Sequence, residues 1–266
     1  MENFWFPFLL TVGAGLCTGI GGVITLFQDK RSTRFLSLCM GFSAGVMIYV
    51  SMIELFHDAN RFLSSVYGEK DGSLYTMLSF FAGILIIAVI DKLIPTSENP
   101  HEISLSCSSD QQDMDTDSLR HTFIVSAIAI AIHNFPEGVA TFVSASQSYK
   151  VALPTVIAIA LHNIPEGITV AIPVFCVTGN RRKAVAASFL TGLSEPLGAV
   201  IAYLFLHPYL NDTLFGVVNA IVAGIMVFIS FDELLPGAEK FGEHHTALYG
   251  LLAGMLVMAI SLWMFI

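Results

Sequence analysis

Charged side chains are scarce in this sequence of 266 residues, of which 12% are Asp, Glu, Lys or Arg and 55% are apolar. A soluble globular domain carries roughly 25% charged residues. Half that value argues against an ordinary soluble enzyme or regulatory domain and indicates a chain that lies largely in a membrane. The net charge of −9 also argues against a nucleic-acid partner, because nucleic acids bind basic surfaces.

Cysteine is scarce as well, and the few cysteines present show no paired spacing. They are Cys17, Cys39, Cys107 and Cys176. This spacing predicts neither a disulfide framework nor a zinc ribbon. The first three residues contain no basic side chain, so we expect the first apolar segment to be retained rather than cleaved as a signal peptide.

Long apolar runs take the place of the missing charges. Eight of them approach the roughly 20 residues that cross a bilayer as a helix. Six runs are free of charge, and two more each hold one acidic residue; in chain order the eight lie at 4–28, 35–53, 72–90, around 121–143, 151–165, around 184–206, 213–231 and 246–266. We therefore predict an all-α integral membrane protein in which residues 1–266 form a single transmembrane domain of eight transmembrane helices.

One long polar segment, residues 95–119, interrupts these runs. It is rich in Ser and Asp and poor in apolar residues. Such a composition cannot bury enough apolar surface to fold by itself. The sequence therefore predicts a disordered cytoplasmic loop at this point.

The basic residues predict the orientation of the chain in the membrane. With eight spans, the loops alternate between two sides. One side collects Lys30, Arg31, Arg34, Lys92, Arg120, Arg181, Arg182, Lys183 and Lys240, and the other collects only Arg61, Lys70 and Lys150. Because cytoplasmic loops carry the excess of Lys and Arg, we expect both termini outside the cytoplasm in a multi-pass protein of the plasma (inner) membrane.

The spans also resemble one another in pairs. Residues 44–55 of span two match residues 223–234 of span seven at a constant offset of 179, and residues 15–24 of span one match 192–201 of span six at an offset of 177. The members of each pair cross the membrane in opposite directions. This pattern predicts an inverted-topology repeat of spans 1–3 and 6–8, with spans 4 and 5 paired at the core, and such repeats are typical of transporters.

The strongest chemical signal is a duplicated hexapeptide, His-Asn-x-Pro-Glu-Gly, at 133–138 in span four and 162–167 in span five. The His and Glu are four positions apart and share one face of a helix, and the Asn precedes the Glu by three. Imidazole, carboxylate and amide groups suit Zn²⁺ and related cations. A short loop joins the two spans, so the two motifs face each other and offer one complete metal site near the midplane and much of a second.

A third acidic position lies in the next span. Glu195, in Ser194-Glu195-Pro196, falls near the same depth as the two motif histidines. A carboxylate at that depth is costly unless it has a partner, so we expect Glu195 to bridge or complete the second metal site.

The duplicated motif resembles the ZIP (Zrt/Irt-like) family of metal transporters, and the length and short tails of the chain resemble the bacterial zinc transporters of that family. The resemblance implies an eight-helix bundle, a homodimer, and uptake of Zn²⁺ through a binuclear site, with no catalytic cofactor. The expected partners are divalent metal ions and the lipid bilayer. The ligands that it implies are His133, Asn134, Glu137, His162, Asn163, Glu166 and Glu195.

Selectivity stays open, because these ligand types also suit Fe²⁺, Mn²⁺, Co²⁺ and Cd²⁺. The alternative function is an intramembrane metal-dependent hydrolase or oxidase, which would also place His and Glu on packed helices. No His-Glu-x-x-His protease motif occurs, and the Glu-x-x-His spacing of di-iron proteins is missing from spans four and five. A metal sensor is a third class, but it would not need polar residues at both membrane surfaces, such as Glu54, His57 and Asp58 at the end of span two and Asp232 and Glu233 at the end of span seven. Transport is therefore the function that the sequence favours.

Overall fold

A computed structural model of the protein describes residues 4–27, 33–93, 116–147, 149–241 and 244–264. Within these ranges the description leaves out the side chains at 33, 93, 116–130, 133, 149–151, 173, 176, 177 and 241. Nearly all of the described residues are helical, and none of them lies in a β-strand. The prediction of an all-α protein is confirmed for this part of the chain.

The described chain forms eleven α-helices in sequence. They are α1 (Trp5–Ile24), α2 (Thr33–Val50), α3 (Phe56–Tyr67), α4 (Glu69–Leu93), α5 (Thr116–Gln147), α6 (Tyr149–Thr178), α7 (Arg181–Gly192), α8 (Ser194–Phe205), α9 (Asp212–Ile229), α10 (Leu235–Phe241) and α11 (His244–Trp263). Short 3₁₀ turns cover Thr25–Phe27 and His207–Tyr209. The predicted loop 95–119 lies outside the described residues up to position 115, and its last four positions belong to α5.

Seven segments are long and apolar enough to cross a membrane. They are Trp5–Phe27, Arg34–Tyr67, Glu69–Lys92, Ala152–Ile172, Arg181–Phe205, Asp212–Lys240 and His244–Trp263. The eighth predicted span, around 121–143, falls in α5, where the side chains of the first half are outside the description. These helices place the protein in the class of multi-pass integral membrane proteins.

The spans differ in how deeply they are buried in the bundle. Only 22% of the most apolar stretch is buried in each of α4 and α11, against 67% in α6. Side chains such as Leu85 on α4 and Leu256 on α11 are exposed, at 64% and 60%. Exposed leucine along a whole helix is the pattern of a lipid-facing surface, so α4 and α11 form the periphery and α6 belongs to the centre.

Two π-helical turns interrupt the long central helices. One covers Ser51–Leu55 between α2 and α3, and the other covers Ser230–Leu234 between α9 and α10. The two turns are 230 − 51 = 179 positions apart, which is the offset of the sequence match. A π-turn adds one residue to a helical turn and is frequent at functional sites.

Hydrogen bonds identify which helix ends lie together. The guanidinium of Arg181, at the start of α7, donates to the carbonyl of Leu26, just after α1. At the opposite end, Gln147 Nε2 at the end of α5 lies 3.2 Å from Asp212 Oδ1 at the start of α9, and Thr213 Oγ1 lies 3.3 Å from the hydroxyl of Tyr67. We refer to these as the Arg181 end and the Asp212 end of the bundle.

Candidate metal centre

Helices α5 and α6 bring three of the predicted ligands together in the centre of the bundle. One potential ligand atom from each of Glu137, His162 and Glu166 lies within 4.8 Å of the others. His162 Nε2 is 3.2 Å from Glu137 Oε2, a contact between the two motif copies. The three side chains are at most 1% exposed. The expectation that the two motifs face each other is met by these three residues.

A second group of predicted ligands lies around Asn163. Its Nδ2 donates to Glu195 Oε1 at 2.6 Å and to the carbonyl oxygen of Ala14 at 2.9 Å. A carbonyl and a carboxylate only accept hydrogen bonds, so these two contacts fix the orientation of the amide. Its Oδ1 is then turned away from both, and it is buried without a hydrogen-bond partner. That oxygen is free to bind a cation.

Glu195 lies where the sixth predicted span is broken. Helix α7 ends at Gly192 and α8 begins at Ser194, so Glu195 is in the first turn of α8. Pro196 explains the break, because proline has no N–H to continue the preceding helix but fits a first turn. The positive end of the helix dipole stabilises a carboxylate at this position. Glu195 is fully buried, its Oε2 has no hydrogen-bond partner, and it interacts electrostatically with Glu137 and Glu166.

The two remaining predicted ligands belong to the first motif copy. Asn134 is fully buried on α5, one turn before Glu137. His133 is on the same helix, but its side chain lies outside the described part of the structure. The proposed role of His133 therefore stays a prediction.

The motif glycines hold neighbouring helices against the site. A Cβ atom on Gly138 would collide with the carbonyl oxygen of Glu195 on α8, and one on Gly167 would collide with that of Thr18 on α1. The absence of a side chain at these two positions therefore permits the close approach of α8 and α1 to the motif helices. Backbone contact at Gly138 also fixes the distance between the first motif and Glu195.

The centre collects three carboxyl groups without a lysine or arginine beside them. Glu137, Glu166 and Glu195 are all buried, and no lysine or arginine is among the buried side chains of the described residues. A carboxylate inside a low-dielectric bundle costs several kcal/mol unless a positive charge or hydrogen bonds compensate it. The arrangement is therefore suited to a cation that is not part of the polypeptide.

Comparison with known proteins agrees with this chemistry. The model of a family described as "ZIP Zinc transporter" matches residues 91–262. Proteins named Zinc transporter ZupT are similar over nearly the whole length. The one from Clostridium perfringens is 54% identical, with 100% of this chain and 98% of the relative covered, and the one from Streptococcus mutans is 53% identical, with 100% and 99% covered.

The chain belongs to the ZIP zinc transporter family. Members of this family are transporters and not enzymes, so the resemblance seen in the sequence is confirmed and the hydrolase or oxidase alternative finds no support.

Sequence reasoning missed some of the contacts that shape the centre of this ZIP family member. The carbonyl of Ala14 holds Asn163, and Ser43 Oγ on α2 donates to the carbonyl of His162 at 3.4 Å. Both contacts join residues more than 100 positions apart. The sequence contained one signal that could have predicted the second contact. Ser43 is a polar residue in the predicted span 35–53, and a polar side chain in a membrane helix usually has a polar partner on a neighbouring helix.

Proposed function

We propose that this protein carries Zn²⁺ into the cytoplasm through a binuclear site at the membrane midplane, built from the two motifs and Glu195. The observation that supports this proposal most strongly is the buried group of Glu137, His162 and Glu166, in which one potential ligand atom from each residue lies within 4.8 Å of the others. Fe²⁺, Mn²⁺, Co²⁺ and Cd²⁺ are further candidate substrates, since nitrogen and carboxylate ligands suit them too.

The ligands divide into two sets around shared carboxylates. His162 supplies nitrogen beside Glu137 and Glu166, which favours Zn²⁺ at the first position. Asn163 Oδ1 and Glu195 Oε2, both buried without hydrogen-bond partners, supply oxygen at the second position. Asn134 would join the second set, and His133 would complete the first by analogy with His162. Carboxylates of Glu137 and Glu166 would bridge the two metals.

The proposed architecture has eight spans related by an inverted repeat. Gly83 on α4 lies against the carbonyl of Ile221 on α9, and Gly254 on α11 lies against that of Phe42 on α2. These contacts correspond under the repeat. Position 42 on α2 and position 221 on α9 are 179 apart, and position 83 on α4 and position 254 on α11 are 171 apart. The two π-turns obey the same offset of 179. Helix α5 supplies the eighth span.

The Arg181 end of the bundle is proposed to face the cytoplasm. It carries Arg181, Arg182 and Lys183 in the first turn of α7, and basic residues concentrate on the cytoplasmic side of membrane proteins. Both termini would then lie outside the cytoplasm in a plasma-membrane protein. The homodimer implied by the family resemblance stays a prediction.

The test is zinc uptake by the purified protein in liposomes. Glu166→Ala removes a carboxylate shared by both proposed metals and should abolish uptake while insertion stays normal. Glu69→Gln, at an exposed position at the start of α4, is the matched control and should transport like the wild type. Near-normal uptake by a correctly inserted Glu166→Ala protein would rule out the binuclear site, and no uptake by the wild type would rule out the function.

A further inference from the structure

Between the metal centre and the Asp212 end, several buried polar atoms have no partner in the protein. They are Thr141 Oγ1 and Ser144 Oγ on α5, and both Oδ1 and Nδ2 of Asn219 on α9. All three side chains are fully buried. A buried polar group without a hydrogen bond costs about 1–3 kcal/mol. These groups are not used by the metal centre, so their burial needs another explanation.

The two hydroxyls differ from several buried hydroxyls that are bonded within their own helices. Thr11, Thr76 and Ser230 each donate to the carbonyl four residues earlier in their own helix, at 2.8–3.0 Å. This is the usual way to satisfy a hydroxyl within a membrane helix. Thr141 and Ser144 make no such bond. Their hydroxyls are therefore available to a group between the helices.

Helical spacing places both hydroxyls above the metal centre. Thr141 and Ser144 follow Glu137 by four and seven positions, so all three lie on one face of α5. At 1.5 Å per residue, the hydroxyls lie about 6 and 10 Å from Glu137 towards the Asp212 end. The two hydroxyls therefore extend the polar face of α5 from Glu137 towards the Asp212 end.

Asn219 lies at the level of Thr141 on the facing helix. The Gln147–Asp212 hydrogen bond aligns the end of α5 with the start of α9. Counted from that contact, Thr141 and Asn219 lie about 9 and 10.5 Å into the bundle.

The face of α9 that carries Asn219 packs against α5. Asn219 shares this face with Phe215, four positions before it, and Val222, three after it. Phe215 belongs to a buried cluster with Phe142 and Val143 of α5, and Val222 belongs to one that includes Ala140. The carboxamide therefore lies at the boundary between α9 and α5, where Thr141 and Ser144 are found.

The corresponding positions at the Arg181 end are apolar. Moving Thr141 by the motif offset of 29 gives Val170, and moving Asn219 by 179 gives Met40. Val170 is in a buried cluster with Val174 and Phe175, and Met40 packs against a cluster formed by Leu36, Cys39 and Ile168. Among the described side chains, the positions of Thr141 and Asn219 are therefore polar towards the Asp212 end, and their counterparts under the proposed repeat are apolar towards the Arg181 end.

We infer that Asn219, Thr141 and Ser144 form a transit site for a partly hydrated divalent cation between the Asp212 end and the metal centre. The inference rests on the proposed transport function. Neutral amide and hydroxyl oxygens bind a divalent cation weakly and leave part of its water shell in place. The carboxylates of the centre lie one turn further in and attract the cation onwards. A weak site before a strong one lets the ion enter without becoming trapped.

The test compares transport with binding in variants that remove only the polar atoms. Asn219→Leu and Thr141→Val should each lower the ratio of maximal uptake rate to KM for external zinc by about tenfold. The equilibrium zinc affinity of the detergent-purified protein should stay within about twofold, and the melting temperature should not fall, because an unpartnered polar group has been replaced by an apolar one. A structural role for these residues would instead lower the melting temperature.

Two further variants sharpen the result. Asn219→Asp keeps an oxygen at this position and adds a negative charge, so uptake at low zinc should equal or exceed that of the wild type. Ser37→Ala removes an equally buried and unpartnered hydroxyl near the Arg181 end of α2 and should change nothing.

The inference is overturned if Asn219→Leu and Thr141→Val both transport like the wild type. It is also overturned if Asn219→Asp is as slow as Asn219→Leu, because the space between α5 and α9 would then hold water and no cation. Failure of the proposed function would be seen separately, as no zinc uptake by the wild type.

Discussion

The two copies of the hexapeptide lie in similar settings but face different residues. Gly138 contacts the backbone of Glu195 on α8, and Gly167 contacts the backbone of Thr18 on α1. Glu195 and Thr18 correspond under the proposed repeat, since 195 − 18 = 177. One copy thus faces a carboxyl group and the other a hydroxyl. Under the proposed repeat, this unequal pair places one additional carboxyl group beside the first motif copy.

The largest effect should come from removing the carboxylate of Glu195 from that pair. Glu195→Gln keeps the shape of the side chain and removes its charge, so uptake should fall by about 100-fold or more, because even the partners of metal ligands contribute about 10–100-fold. The bound zinc should fall from two ions to one. Thr18→Val removes a buried hydroxyl that has no hydrogen-bond partner and should leave uptake within about threefold. Liposome uptake and metal analysis of the purified protein measure both quantities. Equal losses in the two variants would show that the pair is not functionally unequal.

A smaller effect is expected from the glycines that hold the pair in place. Gly138→Ala and Gly167→Ala each place a methyl group against a backbone carbonyl that cannot rotate away, and overpacking of this kind costs about 1–3 kcal/mol. Both should lower the melting temperature in detergent, whereas Gly13→Ala, with nothing within 4 Å of the added Cβ, should not. Zinc affinity should fall further in Gly138→Ala, because that change also moves Glu195. A loss of affinity that is greater in Gly167→Ala would contradict this view.

The smallest effect concerns the helices behind the two motifs. Ser43 on α2 makes a long contact of 3.4 Å with the carbonyl of His162, and its counterpart on α9 under the proposed repeat is the apolar Val222, since 222 − 43 = 179. Ser43→Ala should change zinc affinity by no more than about threefold, because a hydrogen bond contributes about 0.5–1.5 kcal/mol and this one is long, at the weak end of that range. Ser230→Ala, which removes a hydroxyl bonded within its own helix, is the control. An effect of tenfold or more at Ser43 would mean that the hydroxyl itself contacts the metal.

The sequence predicted the parts of this protein that depend on local pattern. Apolar runs located the helices, and the spacing of the motif placed His162 and Glu166 on one face. Features that depend on distant contacts were missed. The two π-turns have no local sequence signal, because one extra residue in a turn is stabilised by its neighbours in the bundle. The hydrogen bond from Asn163 to Ala14 joins positions 149 apart.

Two features could have been predicted from residues already visible in the sequence. Pro196 marks the break between α7 and α8, because proline cannot continue a preceding helix. Asn219 is the one amide in the uncharged run 213–231, and an unexplained amide in a membrane helix is a reason to expect a polar neighbour or a passing ion.

The glycines on α2 and α11 have a mechanical consequence. Gly41 and Gly45 lie against carbonyls of α11, and Gly250 and Gly254 lie against carbonyls of α2, so the two backbones touch along about two turns without side chains between them. Sliding one helix along the other would drive these carbonyl oxygens into the Cβ atoms of neighbouring residues, which is sterically costly. We therefore expect α2 and α11 to move together as one rigid unit in any conformational change, although only α2 contacts the helices of the metal centre extensively.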